Sequence, residues 1–171
     1  SLADYLPELS GRIENAEEIT LRMMIQHRSG IPNFTNNPAY WENEAENGKN
    51  PLHFALDLPA SFKPNKGYEY SNTNYLLLRR IMDEALGYNH HEYIKEKILN
   101  PLSLKNTFFS ITEVDLDAVM SGYYVGVEED FKAREFGMLA TAKDVGTFLR
   151  ALNDGSVFGP GEQEIYPYEY E

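Results

Sequence analysis

Cysteine is absent from this chain of 171 residues. Its absence excludes disulfide bonds, thiol catalysis and thiolate metal sites, although it does not assign a compartment. Long hydrophobic runs are missing too, since no apolar stretch approaches the roughly 20 residues that a membrane-spanning helix needs. Positive charge is scarce, with 15 Lys and Arg residues against 27 Asp and Glu. A surface this acidic repels phosphate groups, so we expect neither nucleic acid nor an anionic membrane surface as a partner.

The rest of the composition is that of an ordinary soluble domain. The 42% hydrophobic and 25% charged content is enough to bury a core without disorder. We therefore predict one mainly α-helical domain with sparse β over residues 1–158. Residues 159–171 are polar and carry no helical period, so we expect a loose tail there. Residues 1–18 contain Pro7 and Gly11, which predicts an extended lead-in.

Local signals place several helices and strands. Thr20 is positioned to cap a short helix, and Gly30 suits a left-handed turn after it. The best-defined helix follows Asn72, with an apolar stripe at helical spacing and Gly87 as its stop. The members of that stripe are Tyr75, Leu78, Met82 and Ala85, widened by Leu77 and Ile81. Irregular chain with one or two short strands is expected after Thr107. Residues 141–144 resemble a capping box that introduces a last helix, with Asp144 in the acidic position.

The most informative segment is residues 62–78, where a Pro/Gly turn leads through Tyr70-Ser71-Asn72 into that helix. The positive end of a helix macrodipole favours negative charge on a phenolic oxygen, which suits Tyr70 for proton handling. Asn72 offers both a donor and an acceptor, which suits a substrate amide. The alternative from these residues alone is structural: Tyr70 packs, and Asn72 or Ser71 caps the helix.

Four segments, in order, resemble the serine β-lactamase-related family of class C β-lactamases, D-alanyl-D-alanine carboxypeptidases and esterases. Residues 19–32 resemble its helix followed by His-x-Ser-Gly-Ile-Pro, and residues 62–78 its Tyr-Ser-Asn motif. Residues 101–108 are similar to its Pro-Leu-Gly-Met run, and residues 136–144 to its Gly-Gly-Leu segment. Together they are far more specific than any one alone.

The resemblance implies a fold and roles for particular residues. The family fold joins an antiparallel sheet with flanking helices to an all-helical lobe, and these residues map to the helical lobe. Tyr70 would manage protons at the nucleophile and leaving group, and Asn72 would bind the substrate's amide. Segment 27–30, with His27, is expected to be structural. Relatives that handle cell-wall substrates suggest a periplasmic or extracellular location.

The departures from the family pattern concern the nucleophile. No serine here is followed three residues later by lysine, and the family's Lys-Thr-Gly or His-x-Gly motif is missing. We therefore expect this chain to be the middle piece of a serine hydrolase and to be inactive alone, because a phenol without its alcohol has no reaction to catalyse. The alternative is a non-catalytic interaction module or an inactive relative.

Remaining features indicate no cofactor and no metal. His90 and His91 are adjacent at an expected helix start, so they face different ways, and we expect them to be solvated. The partners expected are a small-molecule or peptide substrate in the parent protein. A helical lobe without its sheet would also expose an apolar face, which predicts self-association.

Overall fold

The computed structural model describes residues 1–42, 50–124, 127–129 and 137–158. These residues fall into two compact units, with the boundary between His90 and His91. The α-helices α1 to α6 are Leu2–Tyr5, Leu21–Ile25, Pro38–Glu42, Asn72–Leu86, His90–Ile94 and Ala142–Asn153. The strands β1 to β4 are Thr107–Phe108, Gly122–Tyr124, Val127–Glu129 and Leu139–Ala140. In these residues β1 pairs antiparallel with β4, and β2 with β3. The prediction of a helix-rich chain with sparse β is confirmed, while residues 159–171 lie outside the described residues.

The first eighteen residues are not the extended lead-in that the sequence predicts. They contain helix α1, a 3-10 turn at Pro7–Leu9 and much of the core of the first unit. Leu2, Leu6 and Leu9 are buried there, and the Leu2 N–H donates to the Ile19 carbonyl at 2.7 Å. Pro7 and Gly11 break the helix as expected, but the three buried leucines favour a compact segment over an extended one.

The end of α2 sets up the turns that follow. Thr20 caps α2 as predicted, its hydroxyl accepting from the Met23 N–H at 3.3 Å. Gly30 has φ +79°, as its left-handed position requires, and His27 is also left-handed with φ +54°. A Cβ on Gly30 would lie 2.0 Å from the Phe62 carbonyl oxygen, so this glycine lets segment 62–67 approach closely.

The buried face of α4 is rotated from the predicted one. Leu77 and Ile81 are buried as predicted, but Tyr75 and Ala85 are exposed and Asn74 is buried instead. Gly87 ends the helix in the left-handed conformation, as predicted. The face differs because the first turn of α4 buries polar side chains that have hydrogen-bond partners elsewhere in the unit, which an apolar pattern does not reveal.

Those partners form a buried polar network around His27. Its Nδ1 accepts from the backbone N–H of Ser71 at 3.1 Å and lies 3.4 Å from Asn74 Nδ2. The Ser29 hydroxyl donates to Asn74 Oδ1 at 2.7 Å and accepts from the Ile31 N–H. Since Nδ1 accepts, the neutral imidazole carries its hydrogen on Nε2. The network therefore joins segment 27–31 to the first turn of α4.

In the second unit, Asp144 is buried and its carboxylate accepts from the Asn106 N–H at 2.8 Å and the Thr107 hydroxyl at 3.0 Å. Thr141 caps α6 as predicted, accepting from the Asp144 N–H. The carboxylate of Asp144 therefore joins the start of α6 to β1, instead of closing the predicted capping box.

Gly30→Ala should lower the free energy of unfolding by about 2–4 kcal/mol, because the added methyl combines left-handed strain with a clash against Phe62. Gly87→Ala is the matched control. Its φ is also positive, +72°, but nothing lies within 4 Å of its Cβ, so only the strain of about 1–2 kcal/mol should appear. Urea unfolding measures both variants. Equal losses would show that Gly30 is required for its φ alone.

His27→Asn should weaken the dependence of stability on pH. Burial lowers the pKa of His27 below its ordinary value of 6.5. As pH falls below that value, the unfolded chain protonates more readily than the folded chain, so the native protein loses stability down to the folded pKa. Asparagine tolerates positive φ and offers an uncharged acceptor to Ser71. Urea unfolding of both proteins from about pH 7 to about pH 5 tests this. Parallel curves would contradict it.

Candidate functional site

Tyr70 and Asn72 lie together where the chain enters α4. Tyr70 is 52% exposed, and its hydroxyl contacts Asn72 Oδ1 at 3.1 Å. Ser71 between them has extended backbone and precedes the first helical residue, Asn72. Its side chain is fully buried, so the three residues alternate between solvent and interior. The structure thus brings together the two site residues that the sequence predicts.

Asn33 also belongs to this site, although the sequence analysis did not single it out. Its Oδ1 accepts from the backbone N–H groups of Asn72 and Thr35, at 3.2 and 3.3 Å. It also lies 3.4 Å from the side-chain Nδ2 of Asn72. The only local signal is an asparagine after Gly30-Ile31-Pro32, a position typical of a turn that leads into helical chain.

Three exposed tyrosines surround the buried imidazole of His27. The ring centroids of Tyr70, Tyr75 and Tyr68 lie 4.5, 5.2 and 6.1 Å from that of His27. This aromatic surrounding removes water from the ring, which is why burial lowers the pKa of His27. The segment containing His27 is structural as predicted: a neutral imidazole that accepts from Ser71 positions the tyrosine beside it.

A cleft of about 180 Å³ opens next to Asn33. It is lined by Pro32, Asn33, Asn36, Asn37, Leu58, Ser61 and Glu69. The lining combines the apolar side chains of Pro32 and Leu58 with carboxamides, a hydroxyl and a carboxylate. Its carboxamide and hydroxyl groups can form hydrogen bonds with the amide groups of a ligand.

The two adjacent histidines differ from the prediction that both are solvated. His90 is buried, and its backbone N–H and Nδ1 both contact Asp83 Oδ1, at 2.6 and 2.8 Å. Its burial follows from this cap, which joins the end of α4 to the start of α5. His91 stacks on Phe109 with ring centroids 4.2 Å apart. Within the described residues, no three His, Asp or Glu side chains are grouped to hold a metal ion.

Two serines close to the His27 imidazole, Ser71 and Ser29, are both buried. Ser71 is fully buried, and the Ser29 hydroxyl is buried in its bonds with Asn74 and Ile31. A nucleophile must be reachable by the substrate carbonyl, which neither hydroxyl is.

None of the helices in the described ranges is long and apolar enough to cross a bilayer.

Part of this chain is similar in sequence to known proteins. Penicillin-binding protein 4* of Bacillus subtilis (strain 168) is 31% identical over 93 residues, which is 52% of this chain and 21% of that protein. The chain therefore spans about a fifth of the length of that relative.

Solved structures show the same fold. A D-stereospecific amidohydrolase from Streptomyces sp. superposes with a TM-score of 0.74 at 21% identity, over 94% of this chain and 54% of that one. The octameric penicillin-binding protein homologue from Pyrococcus abyssi gives a TM-score of 0.69 at 26% identity, over 99% of this chain and 45% of that one. The pattern of the Beta-lactamase family matches residues 1–167. This match over nearly the whole sequence shows that the chain belongs to the beta-lactamase family.

Proposed function

We propose that these residues supply the proton-handling and amide-binding part of a serine hydrolase that acts through an acyl-serine intermediate. Its substrate would be a β-lactam, a D-Ala-D-Ala peptide or a small ester. The observation that carries this proposal is the 3.1 Å contact between the Tyr70 hydroxyl and Asn72 at the start of α4. In a member of the beta-lactamase family, that pair could supply the proton transfer and the amide binding that acyl transfer by a serine also needs.

The chemistry assigns one task to each residue. A serine oxygen forms a bond to the substrate carbonyl carbon, and the bond to the leaving group breaks. The proton leaves the serine and reaches the leaving group through the Tyr70 hydroxyl, which both accepts and donates. The N-terminus of α4 favours the partial negative charge that builds on this oxygen during the transfer. Asn72 binds the substrate amide and holds the carbonyl near Tyr70.

The nucleophile is proposed to lie outside these residues. The 171 residues contain no Ser-x-x-Lys, Lys-Thr-Gly or His-x-Gly motif. The matched structures are about twice as long as the part that this chain covers. We therefore propose that the described residues form the helical lobe of a longer hydrolase, and that the chain by itself is inactive.

Self-association through an apolar face is the second proposal. Val145 and Leu149, one turn apart on α6, are 45% and 49% exposed. An apolar helix face left in water favours contact with another such face. The alternative function, a non-catalytic interaction module, would use the same surface.

Leu149→Lys should reduce self-association of the chain, because it places a charge within the apolar face of α6. Sedimentation velocity over a range of concentrations measures the oligomer fraction. Glu84→Gln, at an exposed position on α4, changes the net charge by the same amount outside that face and should leave the oligomer fraction unchanged. A wild-type chain that sediments as a monomer at every concentration would refute the proposal.

Tyr70→Phe in the full-length protein should lower kcat for nitrocefin or p-nitrophenyl acetate by about 10²–10⁴-fold, because it deletes the proton relay and keeps the ring. Tyr68→Phe is the control, since Tyr68 is a neighbouring exposed tyrosine that also packs edge-on against His27. Its turnover should match the wild type.

The chain of 171 residues serves as the blank in the same assay and should show background hydrolysis only. Turnover by this chain that disappears in Tyr70→Phe would contradict its proposed inactivity. Equal kcat values for the wild-type and Tyr70→Phe full-length proteins would contradict the role of Tyr70.

A further inference from the structure

The orientation of the Asn33 carboxamide is fixed by backbone groups. Two of the atoms facing it are the N–H groups of Asn72 and Thr35, at 3.2 and 3.3 Å. A backbone N–H donates and cannot accept, so the Asn33 atom that meets both must be the oxygen. The two possible orientations of this side chain are therefore not equivalent, and the structure selects one.

The orientation of Asn33 determines the orientation of the Asn72 carboxamide, which in turn determines the direction of the hydrogen bond with Tyr70. Asn33 Oδ1 lies 3.4 Å from the Asn72 side chain, and an oxygen facing an oxygen without a hydrogen between them would be repelled. Asn72 therefore turns Nδ2 toward Asn33 and Oδ1 toward Tyr70. Because Oδ1 only accepts, the Tyr70 hydroxyl donates its hydrogen across the 3.1 Å contact.

We propose that Asn33 is a positioning residue that sets the hydrogen-bond direction of the Tyr70–Asn72 pair. The proposal rests on the function proposed above for that pair. With its hydrogen directed to Asn72 in the resting state, the Tyr70 oxygen presents its lone pairs to a nucleophile's hydroxyl. It releases its own hydrogen to the leaving group as it accepts the nucleophile's proton. Asn72 Nδ2 donates one hydrogen to Asn33 and has a second for a substrate carbonyl. The same carboxamide turned around would offer the substrate an acceptor and would face Tyr70 with a donor.

The turn that carries Asn33 is held to α4 by a separate pair of bonds. The Thr73 hydroxyl donates to the Pro32 carbonyl at 2.7 Å and accepts from the Phe34 N–H at 3.1 Å. Thr73 is fully buried and flanks Asn72 in sequence. These two bonds hold the backbone on both sides of Asn33, and neither of them involves the Asn72 carboxamide. Thr73 therefore provides a control that loosens the turn and leaves the orientation of the amide in place.

The first test uses the chain of 171 residues labelled with ¹⁵N and requires no activity. Asn33→Ala should release the Asn72 side-chain amide, so that its proton resonances move toward those of exposed asparagines and exchange with water on the order of tenfold faster. Asn33→Asp should preserve the wild-type pattern, because a carboxylate oxygen accepts the same three N–H groups. Thr73→Val should lower stability but leave the Asn72 amide resonances in place.

Unchanged Asn72 amide resonances in Asn33→Ala, or equal changes in Thr73→Val, would overturn the proposal, because Asn33 would then be only a turn residue. If Asn33→Ala does not fold, Asn33→Ser makes the same comparison. Its hydroxyl retains an acceptor for the Thr35 N–H but is too short to hold the Asn72 carboxamide.

The second test uses the full-length protein. Asn33→Ala should lower kcat on the order of tenfold, and Asn33→Asp should restore most of it, because misdirected hydrogen bonds slow proton transfer. A wild-type kcat in Asn33→Ala, with Tyr70→Phe still impaired, would refute the role of Asn33 and leave the proposed function standing. An active Tyr70→Phe protein would refute the proposed function, while the amide resonances would still report whether Asn33 orients Asn72.

Discussion

The hydrogen bond from the Ser71 N–H to His27 Nδ1 is the interaction on which the site depends. It joins two parts of the chain 44 residues apart at the point where the chain enters α4. The imidazole must be neutral to accept this bond, and its burial favours the neutral form by lowering its pKa. Because Ser71 lies between Tyr70 and Asn72, holding its backbone places both side chains at the start of the helix.

The backbone groups at the start of α4 determine the position of the Tyr70 and Asn72 side chains and also the direction of the hydrogen bonds between them. Ser71 and Asn72 each present an N–H that has no partner within the first turn of a helix. One is taken by His27 and the other by Asn33. The same orphan donors that every helix start must satisfy are used here to orient a phenol and a carboxamide. A structural requirement of α4 thereby becomes part of a chemical site.

Features controlled by neighbouring residues were predictable, because a cap or a turn is decided within a few residues. Thr20, Gly87 and Thr141 act as the sequence predicts. Features that depend on contacts between different segments of the chain were not predictable from the sequence. The core formed by the first eighteen residues and the rotated face of α4 depend on contacts with other segments of the chain. The burial of His90 depends on the side chain of Asp83, seven residues earlier. Asn33 was missed for the same reason, since its partner Asn72 lies 39 residues away.

The sequence alone determined the family resemblance, the spacing of Tyr70 and Asn72, the acidic charge and the lack of a Ser-x-x-Lys motif. These are properties of residue order, and they need no coordinates. Only the tertiary structure decided which atoms of Asn33, Asn72 and Tyr70 donate and which accept. A carboxamide has a donor end and an acceptor end of nearly equal size, so its orientation follows from the fixed groups that surround it in the folded protein.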